Sequence, residues 1–369
     1  MMSINSDDAG EMVVEKKASA VALLSGGLDS TIAARILLDQ GIELHALNFH
    51  SPFCTCTSKN AGSCNAVVFA KKLGIPLKMM VKGDDYLAVV KNPKFGYGRN
   101  MNPCIDCRIF ILKKAKEYAK EIGASFIVTG EVLDQRPKSQ HVAAMNIIDR
   151  EAGLEGLVLR PLSARLLPPT APELAGLVDR ERLLEIRGRS RSIQLRMGRD
   201  FHLVDQYCAN GGCRLTDKEY AAKVRDYLEH IEDPRMADMK WMTIGRHYRF
   251  DGVKIIAGRN EPENHQIRAW KSEGDAIVEL DGNVGPTAIV FSPYSSSAIQ
   301  FAVRVLLEHS KARDKQDVRA ILESGGNLDV ITPEIDDILD IDSYRVCWQN
   351  YSIAWHQSGR QDILQDKIE

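Results

Sequence analysis

The sequence has no long apolar run. Its unbroken apolar stretches are short, as at Ala20–Leu24, far below the ~20 residues that a membrane helix needs. No membrane partner is therefore expected. A dominant charge is also missing: 48 basic and 50 acidic residues leave a formal net charge of -2. No global basic field advertises nucleic acid, so any such surface must be local. The opening MMSINSDDAGEMVVEKK lacks the charged-then-apolar order of a secretory leader. The expected location is the cytoplasm. There is no internal repeat and no GK[ST] loop of the Walker type. With 44% hydrophobic and 27% charged residues the composition is that of a globular chain, and 369 residues allow two domains.

Strand-like and helix-like segments alternate in the first half. Apolar runs at 20–24, 42–49, 75–81 and 125–130 read as strands; 65–73 and 107–122 read as amphipathic helices, and another follows residue 27 through Leu38. This rhythm predicts βαβ units and a doubly wound parallel α/β sheet. After about residue 235 the texture changes to short strand-like runs with glycine turns, WMTIGRHYRF, GVKIIAGRN and TAIVFS, followed by a helical pattern at 295–309. The expected organisation is a flexible tail at 1–17, a nucleotide-type domain at 18–235, a smaller α+β domain at 236–325 and an acidic extension at 326–369. That extension carries nine acidic against three basic residues.

Eight cysteines in a chain with no export signal point to metal, cluster or redox chemistry more than to structural disulfides. Cys104-Ile105-Asp106-Cys107 is a C-x-x-C at a predicted helix start, a pattern shared by zinc, iron–sulfur and redox sites. Cys213 follows Gly211-Gly212 far along the chain. Two cysteines from one loop and a third from another suit a [4Fe–4S] cluster with one iron open; zinc is the alternative. Cys54, Cys56 and Cys64 follow the second strand as C-x-C-x7-C and could bind zinc, extend a thiol site or sit in an exposed loop. Cys208 and Cys347 read as bystander and core or interface.

The strongest motif is Ser25-Gly26-Gly27-Leu28-Asp29-Ser30 between a strand and a helix. Glycines let the backbone approach an anion without a Cβ in the way, and the helix that follows offers unpaired N–H groups to a phosphate. This motif resembles the loop of the PP-loop ATP pyrophosphatases, of HUP-like fold. The resemblance implies ATP cleaved to AMP and pyrophosphate, with Mg²⁺, at Ser25, Gly26, Gly27, Asp29 and Ser30. It also implies a nucleotide pocket completed by Phe49 and Gly130. The stretches MNPCIDCRIF and CANGGCRLTD resemble the tRNA-thiolating branch, the 2-thiouridylases and 4-thiouridine synthetases. That branch implies cluster ligation by Cys104, Cys107 and Cys213. It also implies catalysis by Asp29, Cys104 and Cys213, with tRNA as partner and a sulfur donor, sulfide or a cysteine desulfurase system. A persulfide on Cys104 or Cys213 is the alternative to a cluster. Members of this branch differ from the present sequence in often having one cysteine where this chain has C-x-x-C. A homodimer is allowed for.

Seven arginines against two glutamates at 180–199 give a local charge of +5, suited to RNA phosphates or to a solvated face. Arg189 and Arg191 are the candidates there, and Arg136 in the segment after the fourth strand. Residues 244–249 and 257–264 resemble the RNA-binding domain of NFACT proteins, which implies RNA contact by Arg246 and Arg249, with Trp241 and Tyr248 either stacking on a base or in the core. Two other readings stand beside thiolation. One is a PP-loop ligase or amidating enzyme acting on a small carboxylate, with zinc on its cysteines; the other is an RNA-binding adaptor.

Overall fold

The computed structural model describes residues 18–55, 64–203, 212–313, 315, 317–333 and 340–351. The tail at 1–17, Cys56, Cys208, Gly211 and most of the acidic extension lie outside the described residues. The described chain forms two compact units: one built from 18–50, 64–81 and 107–203, the other from 51–55, 82–106 and 212–351. The units thus interleave along the sequence where a single linear boundary near 235 was expected.

The first elements in chain order are β1 (Ser19–Leu23), α1 (Leu28–Leu38), β2 (Glu43–His50), α2 (Asn65–Leu73), β3 (Leu77–Val81), α3 (Asp84–Lys91), α4 (Cys104–Ile122), β4 (Phe126–Thr129), α5 (Val142–Ala152), β5 (Val158–Leu159), α6 (Ala171–Leu174) and α7 (Ser192–Asp200). The five strands make one parallel sheet in the order β3-β2-β1-β4-β5. β1 is SAVAL, apolar and buried along nearly its whole length, as a strand covered on both faces must be. It is paired on both sides, Val21 opposite His45 of β2 and Ile127 of β4. Chain order reverses between β1 and β4, so the carboxyl ends of these two strands open a crevice, the usual ligand position in such sheets. Leu24, Leu28, Ile32, Leu37, Leu44, Phe69 and Phe126 fill the core.

The second unit continues with α8 (Lys218–His230), β6 (Arg246–Phe250), β7 (Val253–Ala257), α9 (Glu261–Trp270), β8 (Ala276–Leu280), β9 (Ala288–Val290), α10 (Ser296–Glu308), β10 (Ala320–Ser324) and β11 (Asn327–Ile331). Its six strands form an antiparallel sheet in the order β11-β10-β8-β9-β7-β6. α10 packs on this sheet, where Phe301, Val305 and Leu306 meet Tyr248, Ile255 and Val278. The turn between β10 and β11 is Gly325-Gly326, both at positive φ, the backbone that two-residue hairpins require. The expected boundary at 326 therefore cuts a hairpin, and β11 belongs to the sheet. The fold class is as expected: a doubly wound parallel α/β sheet with a second, antiparallel α+β unit.

A buried charge cluster ties α8 to β6 and β7. Asp226 is fully buried and accepts from Arg249 Nε at 2.9 Å, Arg249 Nη2 at 2.8 Å, Lys254 Nζ and Tyr351 Oη at 2.7 Å. Burial opposes its ionisation, but Lys254 and Arg249 outweigh that and hold its pKa far below the usual carboxylate range. A depressed carboxylate stabilises the fold above its unfolded pKa of about 3.9, and that contribution is lost as pH falls through the folded value. Asp226→Ala strands two buried cations, so it is expected to cost about 3–5 kcal/mol. Urea unfolding at neutral pH checks this, and the gap from the wild type should narrow in acid.

Candidate nucleotide and thiol sites

The Ser25–Ser30 loop crosses from β1 to α1. Gly26 sits at φ +76°. A Cβ there would lie 2.8 Å from the backbone nitrogen of Ala66, so glycine lets the start of α2 pack against the loop. Gly27 caps α1 without a side-chain hydrogen bond, which leaves the first turn's N–H groups facing the crevice as an anion site. Ser25 Oγ and Ser30 Oγ are 3.1 Å apart, Ser25 Oγ accepts from Gly27 N at 3.3 Å, and Ser30 Oγ donates to Gly27 O at 3.0 Å. Both hydroxyls therefore line one turn.

Gly130 follows β4. A Cβ on it would stand 2.4 Å from both Cα and N of Ser30. The turn after β4 is thus pressed against the loop, and only glycine fits. Gly130→Ala must displace Ser30, and a misplacement of this kind costs about 10²-fold in rate. We expect that loss in ATP-dependent turnover with far-UV circular dichroism unchanged.

Asp29 lies on the first turn of α1. Its Oδ2 accepts from Gln135 Nε2 at 3.3 Å; its Oδ1 is buried without a hydrogen bond, with Arg191 Nη2 at 3.6 Å. A buried carboxylate oxygen with an open valence beside a glycine cradle and an uncapped helix start fits a triphosphate with its magnesium ion. Asn48 at the end of β2 is buried; its Nδ2 donates to Leu24 O at 2.6 Å and its Oδ1 has no partner among the described residues. Phe49 beside it is half-buried. Glu131, next to Gly130, is buried and accepts from Arg108 Nε at 2.9 Å, Arg160 Nε at 3.0 Å and Thr129 Oγ1 at 3.1 Å. Burial raises its pKa, yet Arg108 and Arg160 bring it below the usual value. It stays ionised and fastens α4 to the β4 turn through Arg108.

The arginine-rich segment is not one helix. A short turn at Arg180–Arg182 precedes an irregular stretch and α7. Arg180 binds Glu173 at 2.5 Å and Arg187 binds Asp134 at 2.6 Å, while Arg189 and Arg136 are exposed. Arg191 is the one that reaches the loop. In the second unit, Arg249 departs from the expected RNA role, because its guanidinium is committed to Asp226. Arg246 is half-buried and donates to Gly258 O at 3.3 Å. Trp241 and Tyr248 are core aromatics, so base stacking by either is excluded in this conformation. Gly245, Arg259, Asn260, Glu263 and Asn264 hold one another: Glu263 accepts from Gly245 N and Arg259 N, and Asn264 Oδ1 accepts from Thr287 N. Much of that motif is structural.

Cys104 and Cys107 occupy the first turn of α4, three residues apart and so on one side of the helix. Cys213 pairs across an antiparallel bridge with Cys54. Cys64 caps α2 and is buried, its Sγ 3.7 Å from His50 Nε2. Among the described residues no group of three or more His, Cys, Asp or Glu stands close enough to hold a metal ion. Sequence reasoning missed Gln135 and Glu131, while the resemblance implies adenine against Leu24 and the Asn48–Phe49 region. Gln135 adjoins the flagged Arg136, but nothing local distinguishes a side chain that turns toward Asp29 from one that faces solvent.

A parallel sheet in this order with an SGG-x-DS loop at its switch point defines a PP-loop nucleotide-binding domain. Residues 15–165 match the family model described as "Thiamine biosynthesis protein (ThiI)", and residues 245–332 match "NFACT protein RNA binding domain". The chain is 24% identical over 312 residues to the tRNA-specific 2-thiouridylase MnmA of Pelotomaculum thermopropionicum, covering 73% of this chain and 80% of that one. It is 31% identical over 156 residues to a probable tRNA sulfurtransferase of Lysinibacillus sphaericus, covering 42% of this chain but only 37% of that one. A solved structure, the U34-tRNA thiolase NcsA from Methanococcus maripaludis with its [4Fe-4S] cluster, is 19% identical with a TM-score of 0.33, over 63% of this chain and 72% of that one. The first region is thus similar to tRNA-thiolating enzymes and the later region to the NFACT RNA-binding domain.

Proposed function

We propose that the protein is an ATP-dependent tRNA thiolation enzyme. The observation that carries this is the phosphate loop at the β1/β4 switch point, with Gly26 and Gly130 admitting backbone where any side chain would collide. ATP binds with its phosphates on the start of α1 and on Ser25 and Ser30. Asp29 would hold Mg²⁺, which neutralises charge building on the phosphates. Leu24 and Asn48 flank the position of the base, where the open Asn48 Oδ1 can accept from an exocyclic amine. A carbonyl oxygen of a target nucleobase attacks the α-phosphorus, pyrophosphate leaves, and the base becomes adenylated. Sulfur then adds to the activated carbon and AMP departs. The target base has to leave its stack to present that carbonyl.

Cys104, Cys107 and Cys213 are the sulfur-handling residues in this reading. One form of delivery is a persulfide on Cys213 or Cys104. The terminal sulfur of the persulfide is the nucleophile; a cysteine desulfurase loads it by passing on the outer sulfur of its own persulfide, and once AMP has left, a second cysteine thiolate attacks the inner cysteine sulfur, releasing the thiolated base and leaving a protein disulfide that a thiol reductant reopens. Were a [4Fe–4S] cluster present, the same three cysteines would hold it and its open iron would carry the sulfide. Iron and sulfide assays on protein purified without oxygen decide between the two. Arg191 and Arg189 on the first unit and Arg246 on the second supply cations for the RNA backbone.

The test is turnover of purified protein with ATP, bulk tRNA, a cysteine desulfurase with cysteine, and a thiol reductant. AMP and pyrophosphate should form in equal amounts, require tRNA, and accompany one new thionucleoside on digestion. Pyrophosphate release with a small carboxylate and without tRNA would replace this reading with the ligase; RNA binding without AMP formation would replace it with an adaptor.

A further inference from the structure

The sequence leaves Cys54 open between zinc binding, an extended thiol site and an exposed loop, and the proposed chemistry does not use it. Its place in the fold is specific. Thr55 N donates to Gly212 O at 3.1 Å and Arg214 N donates to Phe53 O at 2.7 Å. These two bonds flank Cys54 and Cys213, so the cysteines are the non-hydrogen-bonded pair of an antiparallel bridge. In such a pair the Cα atoms stand about 4.5 Å apart and the side chains project to one face. That separation falls at the short end of the range that a disulfide spans, about 4.4–6.8 Å. The register is fixed a third and fourth time, because Thr55 Oγ1 accepts from Gly212 N at 2.7 Å and donates to Gly212 O at 3.1 Å. Both cysteines are half-buried, so small thiol reagents can reach them.

We propose that Cys54 and Cys213 form a reversible cross-strand disulfide, with Cys54 the covalent partner of Cys213. The reaction is ordinary thiol–disulfide exchange. One cysteine thiolate attacks a low-molecular-weight disulfide such as oxidised glutathione, expelling one glutathione thiolate and leaving a mixed disulfide. The second cysteine attacks the protein sulfur of that intermediate, forms the Sγ–Sγ bond and expels the second glutathione. Two thiol protons are released to solvent or to the leaving thiolates, and the two electrons end on glutathione. A thiol reductant reverses both steps. Cysteine pairs of this kind in a reducing compartment are transient, serving catalysis or redox sensing.

The surroundings favour exchange at this point. Ser51 Oγ lies 3.5 Å from Cys54 Sγ. Tyr220 is buried and its hydroxyl has no hydrogen-bond partner among the described residues. Burial, with the Cys213 charge adding to it against Arg214, raises the Tyr220 phenol pKa. The phenol stays protonated and is a donor for a sulfur anion near Cys213.

The pairing stands on the backbone register alone. Its consequence, that oxidation withdraws Cys213 from sulfur transfer, rests on the thiolation reading. The test separates them. The full chain is equilibrated in glutathione buffers from reducing to oxidising, blocked with N-ethylmaleimide, digested and mapped without reduction. A linked peptide joining Cys54 to Cys213 should appear, should vanish on adding dithiothreitol, and should be lost in Cys54→Ser but kept in Cys104→Ser. Thermal melting of Cys54→Ser should match reduced wild type, which shows that the variant folds. Full maleimide labelling of both residues across the series would overturn the proposal, as would linkage of Cys213 to Cys56, Cys104, Cys107 or Cys208 instead. If the pairing forms, oxidation should abolish tRNA thiolation in wild type and spare it in Cys54→Ser. Pairing without that effect would sink the consequence and leave the pairing.

Discussion

Asp29→Ala is expected to lower tRNA-dependent pyrophosphate release by at least about 10²-fold, the loss seen when one preorganised charge-stabilising group is removed, with tRNA affinity unchanged. The reasoning is local. Asp29 Oδ1 is buried with its hydrogen-bonding capacity unused, and Gln135 steadies Oδ2 at 3.3 Å. A carboxylate held this way is arranged for a cation. Removing it takes charge compensation from the phosphates at the moment pyrophosphate leaves. It keeps all three RNA-facing cations, Arg189, Arg191 and Arg246, removing only the carboxylate 3.6 Å from Arg191, so filter binding of tRNA should not weaken. Gln135→Ala removes only the steadying contact and should show a smaller loss in the same assay. Equal loss of turnover and binding in Asp29→Ala would mean that the loop had collapsed.

Cys213→Ser should separate the two halves of the reaction. Adenylation needs the phosphate loop, while sulfur transfer needs a thiol; serine cannot carry a persulfide sulfur. The expected result is pyrophosphate and AMP release at a reduced but measurable rate, with thionucleoside below detection. Cys104→Ser should do the same, and Cys107→Ser only if the C-x-x-C acts as a unit. A Cys213→Ser variant that still makes full thionucleoside would remove Cys213 from the site.

The phosphate loop was legible because its chemistry is contiguous. Six residues in a row bring glycines, hydroxyls and a carboxylate to the end of one strand, and the apolar run of β1 announces that strand. Gly130 was legible only through family resemblance; its necessity comes from Ser30, a hundred residues earlier in the chain, against which its missing Cβ makes room. Helices α3, α5 and α8 escaped the sequence reading because their caps, such as Asp217 and His141, are isolated polar residues with no long periodic run behind them. Arg249 shows the opposite failure. In the sequence it is one more cation in a basic strand, yet Asp226, on a helix 23 residues away, claims it. The Cys54–Cys213 bridge joins residues 159 positions apart, and no spacing rule links them. What the sequence hid is pairing between distant segments, which depends on sheet order and not on local pattern.

The most direct test of the thiolation account is nucleoside mass spectrometry of bulk tRNA before and after incubation with the protein, ATP, a cysteine desulfurase with cysteine, and a thiol reductant. The account predicts one nucleoside whose carbonyl oxygen has become sulfur, formed in step with AMP. An unchanged nucleoside profile while the protein hydrolyses ATP to AMP and pyrophosphate would contradict it.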